Sequence, residues 1–208
     1  MKVKTMMNAA SRPVNGLQRG SSLIMVMIIL TVVSLLGIAG IQISMMSERG
    51  ARNDRDQQIA WQSAEAGLMD AENDLFGPGA STRRTLFTTD FKLANFIDGC
   101  GSSGYSIGLC RQVTTGKPSW LTVDFTNTSN SAPTTAFGTY TARSFTAGGA
   151  GIQPARVPRY IIEAIKDPGD ANYLMCKYDD CKYVYRVTVM GFGPRSDIQA
   201  VVQMIYRD

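Results

Sequence analysis

Residues 23–43 read LIMVMIILTVVSLLGIAGIQI, and Thr31, Ser34 and Gln42 are the only polar side chains among them. No charge falls between Arg19 and Glu48, and no proline interrupts the run. At 1.5 Å per residue a helix of this length reaches roughly 32 Å, close to the ~30 Å hydrocarbon core of a bilayer. The stretch therefore predicts one membrane-spanning helix. Lys2, Lys4, Arg12 and Arg19 precede it with no acidic residue among them. This asymmetry predicts an N-terminus on the cytoplasmic side and a remainder that lies across the membrane.

Of the 21 basic residues, those four carry the whole net charge of +4, leaving 17 basic against 17 acidic side chains from Ser21 onward. A neutral body does not advertise an electrostatic nucleic-acid surface. With 208 residues, 44% of them hydrophobic, the chain is long enough for one modest core plus an additional element. Cys100, Cys110, Cys176 and Cys181 all lie beyond the apolar run, an even number that fits an oxidising compartment and two disulfides. Four cysteines allow three pairings. The local pairs Cys100–Cys110 and Cys176–Cys181 are the favoured expectation, because each closes a short loop. The chain has no histidine and no Cys-x-x-Cys pair, so no zinc site is expected.

A secretory signal cut within Gly37-Ile38-Ala39 would fit the small-residue rule, but the apolar run continues through Ile41 and Ile43. Helical periodicity also persists downstream. Trp61, Ala64, Leu68, Ala71 and Leu75 recur at spacings of three and four, which predicts a core-facing stripe. Arg52, Arg55, Asp56, Glu65 and Asp70 are expected on the remaining, solvated surface. Phe76-Gly77-Pro78-Gly79 ends the pattern. One helix from about Ser22 to Leu75, roughly 80 Å long, is the expectation, apolar over 21–47 and amphipathic over 48–76.

These residues resemble a known family. Arg19-Gly20 followed by Ser21-Ser22-Leu23-Ile24-Met25-Val26 looks like a prepilin-type leader and the start of a mature type IV pilin. Glu48-Arg49-Gly50-Ala51-Arg52-Asn53-Asp54-Arg55-Asp56 and Ala60-Trp61-Gln62-Ser63-Ala64-Glu65-Ala66 resemble the N-terminal region of the PilX class of minor pilins. Arg159-Tyr160-Ile161-Ile162-Glu163 and Tyr185 to Gly193 are similar to that class near its C-terminal end. The resemblance implies a leader over 1–20, cut between Gly20 and Ser21 by a membrane prepilin peptidase, and methylation of the new N-terminus. It also implies partners: other minor pilins, the major pilin and a large tip adhesin. Major pilins carry a glutamate at the fifth mature position, where this chain has Met25, and commonly phenylalanine at the first, where it has Ser21. A methionine there is either an ordinary apolar residue or the mark of a subunit at the filament tip, which docks on no earlier terminus.

The resemblance further implies insertion in the inner membrane before assembly and a periplasmic body, 77–208. Its stretch 79–157 is rich in Gly, Ser, Thr, Asn and Ala, which predicts loops with a few short strands, 119–125 being the best candidate. Residues 159–165, 182–190 and 198–206 are β-branched and aromatic runs separated by turn signals. Tyr183, Tyr185, Val187 and Val189 fall on one face by alternation. The expectation is an α+β fold, an antiparallel sheet packed on the amphipathic half of the helix. No catalytic constellation stands out, since the usual triads need a histidine. Asp167, Asp170, Asp179 and Asp180 lack the EF-hand spacing, and Asp167-Pro168-Gly169-Asp170 reads as a turn. Gly37 and Gly40 allow close helix packing or local unwinding, or are simply tolerated.

The sequence thus reads as a structural minor pilin without enzymatic activity, cofactor or metal, acting in a tip or priming complex. Adhesion, twitching motility and DNA uptake would lie downstream. A minor pseudopilin of a type II secretion system and a membrane-anchored periplasmic binding protein are the alternatives.

Overall fold

A computed structural model describes residues 21–77, 81–149, 151–177 and 180–207. Residues 1–20, where a leader ending at Gly20 is expected, lie outside the described residues, as does Asp179. The chain divides into two compact units, one ending at Gly50 and the other covering Ala51–Asp208. The helix α1, Ser21–Leu75, supplies residues to both.

In the first unit α1 is long and apolar enough to cross a membrane, with a mean hydropathy of 2.8 over its most apolar window. Its large apolar side chains, from Leu23 to Met46, are 50–73% exposed, so nothing among the described residues shelters them. The two hydroxyls in the run are satisfied inside the helix: Thr31 Oγ1 donates to the Ile28 carbonyl at 2.8 Å and Ser34 Oγ to that of Leu30 at 2.7 Å. Such bonds make a polar side chain tolerable in lipid.

The second unit is α+β. Its sheet has the order β1-β3-β4-β5, with β1 at Leu109–Arg111, β3 at Arg159–Lys166, β4 at Tyr183–Phe192 and β5 at Gln199–Tyr206. A two-residue strand, β2 at Thr135–Ala136, pairs with β3. The three long strands run antiparallel, Ile162 opposite Val187 and Val187 opposite Met204. The antiparallel sheet expected from these three strands is present, and β1 extends it by joining β3 in parallel, Cys110 opposite Glu163, so that the whole sheet is mixed. A three-residue strand is too short to show alternation in sequence; the Cys100–Cys110 disulfide and its pairing to β3 hold it.

The expected strand over 119–125 is also absent. Ser119–Thr122 forms a short helix, α2, in which Val123 N donates to the Ser119 carbonyl at 2.9 Å. Pro118 immediately before it is extended, with φ −65° and ψ 154°, and its carbonyl accepts from Leu121 N at 3.0 Å to begin the turn. Phe125 still ends up buried, packed with Cys100, Cys110 and Ile161 on the sheet face away from α1.

On the other face α1 lies unusually near the sheet. A Cβ at Gly191 in β4 would sit 2.2 Å from Ala64 N and 2.3 Å from the Ala60 carbonyl oxygen. One at Gly67 would sit 2.5 Å from Val189 Cγ1. Glycine on β4 and small residues on α1 let the two backbones touch. Around this contact Leu68, Leu75, Leu109, Ile162, Val187 and Val189 form the core.

Candidate assembly surfaces

Asp70 and Asp74 lie one turn apart on α1, and both are fully buried. Arg83 Nε and Nη2 donate to Asp74 Oδ2 at 3.0 and 2.5 Å, while Arg83 Nη1 donates to the carbonyls of Ile107 and Tyr105 at 2.6 and 3.1 Å. The guanidinium stands 3.8 Å over the ring of Tyr140. Tyr160 Oη and Ser81 Oγ complete the shell, each donating to Asp74 at 2.9 Å. Burial alone would lower the Arg83 pKa, but Asp74 more than offsets this and the group is held above its ordinary value.

Asp70 accepts from the Gly138 amide at 2.7 Å and from the Thr141 hydroxyl at 2.5 Å, with Arg143 at 3.7 Å. Burial pushes its carboxyl above the ordinary carboxylate value, only partly countered by those donors and by Arg143. The two aspartates therefore clamp the loop-rich 81–143 segment to the helix. Sealed from solvent and already bonded, they are structural groups and offer no approach to a substrate. Asp70 corrects the expectation of a solvated position. The available signal is a pair of helical carboxylates spaced by four, flanking the buried stripe, with no basic residue three or four places away on α1.

Ala64, Leu68, Ala71 and Leu75 are buried, as the stripe requires, but Trp61 is 50% exposed and its placement in the core is corrected. At about 100° per residue, the buried positions from Ser63 to Leu75 cover an arc, and Trp61 falls just outside its edge beside Leu68. Its indole Nε1 donates to Glu65 Oε1 at 2.7 Å. With Leu68 and Met69 it forms one wall of an open groove of about 600 Å³, whose other wall is Val202, Met204 and Tyr206 of β5. The Tyr206 pKa is pushed up to about 12 by burial and by Glu72, so its hydroxyl stays a donor, to the Leu68 carbonyl at 3.3 Å.

A second exposed apolar feature is a loop tip. The disulfides join Cys100 to Cys110 and Cys176 to Cys181. Just before the latter, Leu174 and Met175 are 88% and 83% exposed. Lys166 Nζ donates to the Cys176 carbonyl at 3.2 Å and holds the base of the loop to β3. The adjoining Asp167 and Asp170 are used as turn acceptors, from the amides of Gly169 at 2.8 Å and Asn172 at 3.2 Å.

Apolar surface is thus concentrated on the first half of α1, beside β5 and at one disulfide loop, which is the distribution of a subunit that assembles. Residues 19–68 match the family described as PilX N-terminal, and residues 106–208 match the one described as type IV pilus assembly protein PilX C-term. The chain belongs to the PilX family of type IV pilus assembly proteins. The first match ends at Leu68, within the packed half of α1, and the second takes in every strand of the sheet. No curated protein and no solved structure matches the chain.

Proposed function

We propose that this PilX-family chain is a minor pilin of a tip or priming complex. In this reading the leader over 1–20 holds the N-terminus in the cytoplasm until a prepilin peptidase cuts between Gly20 and Ser21. The apolar half of α1 then leaves lipid for a bundle of pilin helices, while the body from 77 to 208 faces the periplasm and later the cell surface. The observation that carries the reading is the exposure of every large apolar side chain from Leu23 to Met46. Buried against neighbouring helices, each such side chain gains packing contacts that lipid supplies less specifically.

Met25, 66% exposed, supplies no carboxylate to pair with the amino terminus of an earlier subunit. That suits a subunit at the tip, whose partners are other minor pilins, the major pilin below and a large adhesin above. Met25→Glu is expected to alter association with the other minor pilins, and unchanged association and piliation would remove the tip role from Met25.

Deleting the chain and counting surface pili tests the function itself. The expected result is a loss of pili, restored by the wild-type gene, with the chain present in small amounts in sheared filaments. Normal piliation together with its absence from those filaments overturns the proposal.

A further inference from the structure

Strand β5 forms one margin of the sheet, and among the described residues no strand pairs with its outer edge. Exposed edges are ordinarily blunted by a charged residue, a proline or a bulge. Gln199–Tyr206 has none of these: it reads QAVVQMIY and pairs with β4 continuously over eight residues. The edge also has an apolar shelf on each side. Toward α1 lies the groove of Trp61, Leu68, Met69 and Met204. On the opposite face Val201 and Ile205 are 49% and 62% exposed. Core residues Leu68 and Val202 line this groove between the helix and β5.

We propose that the β5 edge accepts an extended segment of another exported pilus polypeptide, added as a further strand. Main-chain hydrogen bonds to β5 give the affinity, and alternate apolar side chains fill the groove. Glu65 and Glu72 border the groove, so the incoming segment carries a lysine or arginine among its inward-facing residues. A second copy of β5 brings no cation between Gln199 and Tyr206 and does not meet that requirement. The proposal rests on the pilus-subunit reading only for where the partner comes from.

A photo-activated benzophenone residue replacing Val201, Gln203 or Ile205 in turn, in the full chain in piliated cells, tests this. The expected adducts map to one segment of one partner and step along it by two residues as the position moves from 201 to 205. Scattered adducts, adducts to a second copy, or none overturn the proposal. Met204→Lys places a charge in the groove at an exposed position, and is expected to lower the yield from position 203 by about tenfold or more, equivalent to about 1.4 kcal/mol. An unchanged yield at equal protein level also overturns it. Sheared pili from the same cells separate the two readings. Ordered adducts with the chain missing from pili leave the edge proposal standing and remove the minor-pilin function, whereas incorporation without ordered adducts does the reverse.

Discussion

Replacing Asp74 with asparagine tests the clamp most severely. The side chains of Asp74 and Arg83 are both fully buried in their ion pair, and among the described residues no other carboxylate contacts the guanidinium, whose remaining acceptors there are the carbonyls of Tyr105 and Ile107 and the hydroxyl of Thr135. Asp74→Asn leaves a positive charge out of water without its counter-ion, a loss of about 3–5 kcal/mol. That is roughly two to nearly four powers of ten in the folding equilibrium, and about a fifth or more of the stability of an ordinary domain. Urea unfolding of the full chain in detergent micelles, followed by the fluorescence of Trp120 against the second cluster, measures it. Exchanging both partners, Asp74→Leu with Arg83→Met, removes the stranded charge and is expected to recover at least about 2 kcal/mol relative to the sum of the single changes. Recovery stays incomplete, because Tyr160 Oη loses its acceptor, at a cost of about 1–3 kcal/mol. A cost below about 1 kcal/mol for Asp74→Asn, or strict additivity in the double variant, would refute the argument.

Other expectations follow from the same contacts. Gly191→Ala pushes a methyl into the α1 backbone at Ala64 and Ala60 and should cost about 1–3 kcal/mol, read as a lowered Tm; an unchanged Tm would mean the helix is not held against β4. Asp70 has a raised pKa, so the folded state holds its proton more tightly than the unfolded one. Its contribution to stability is full below about pH 4 and is lost as pH rises through the folded-state value; a pH series of unfolding free energies should show that decline, and Asp70→Asn should flatten it. Removing the Cys100–Cys110 bridge should cost about 2–4 kcal/mol. Loss of Cys176–Cys181 should cost less, since that bridge closes 5 residues instead of 10; thermal unfolding of the two Ser pairs compares them. Trp61→Ala should change stability by less than about 1 kcal/mol, because the ring is half exposed, and a larger loss in unfolding would put Trp61 back in the core.

The parts legible in the sequence are those whose periodicity is long. Twenty-one uncharged positions announce the apolar helix, and the runs at 159–165, 182–190 and 198–206 lie within about two residues of β3, β4 and β5. Strands β1 and β2, of three and two residues, exist only because β3 offers them an edge, so no local pattern marks them. The run at 119–125 has strand-like composition, but the proline before it and the Ser119–Val123 bond turn it into a helical start. Trp61 shares the three-and-four spacing of the stripe, yet spacing fixes only relative angle. The centre of the buried arc is set by Gly191 and Val189, far along the chain. Asp70 reads as surface because its partners, Gly138 and Thr141, come from remote loops, and Asp74 likewise takes its partners, Arg83 and Tyr160, from beyond the end of α1. The groove beside β5 is lined by residues of both α1 and β5, a pairing that a linear pattern does not contain.

The central claim is that the apolar half of α1 enters a filament after the basic segment before it is removed. Mass spectrometry of the N-terminal peptide of this chain, recovered from sheared pili, tests it directly. The account predicts a peptide beginning at a methylated Ser21. A filament-borne chain that still carries Lys2, Lys4, Arg12 and Arg19, or one that begins near Gly40, contradicts it.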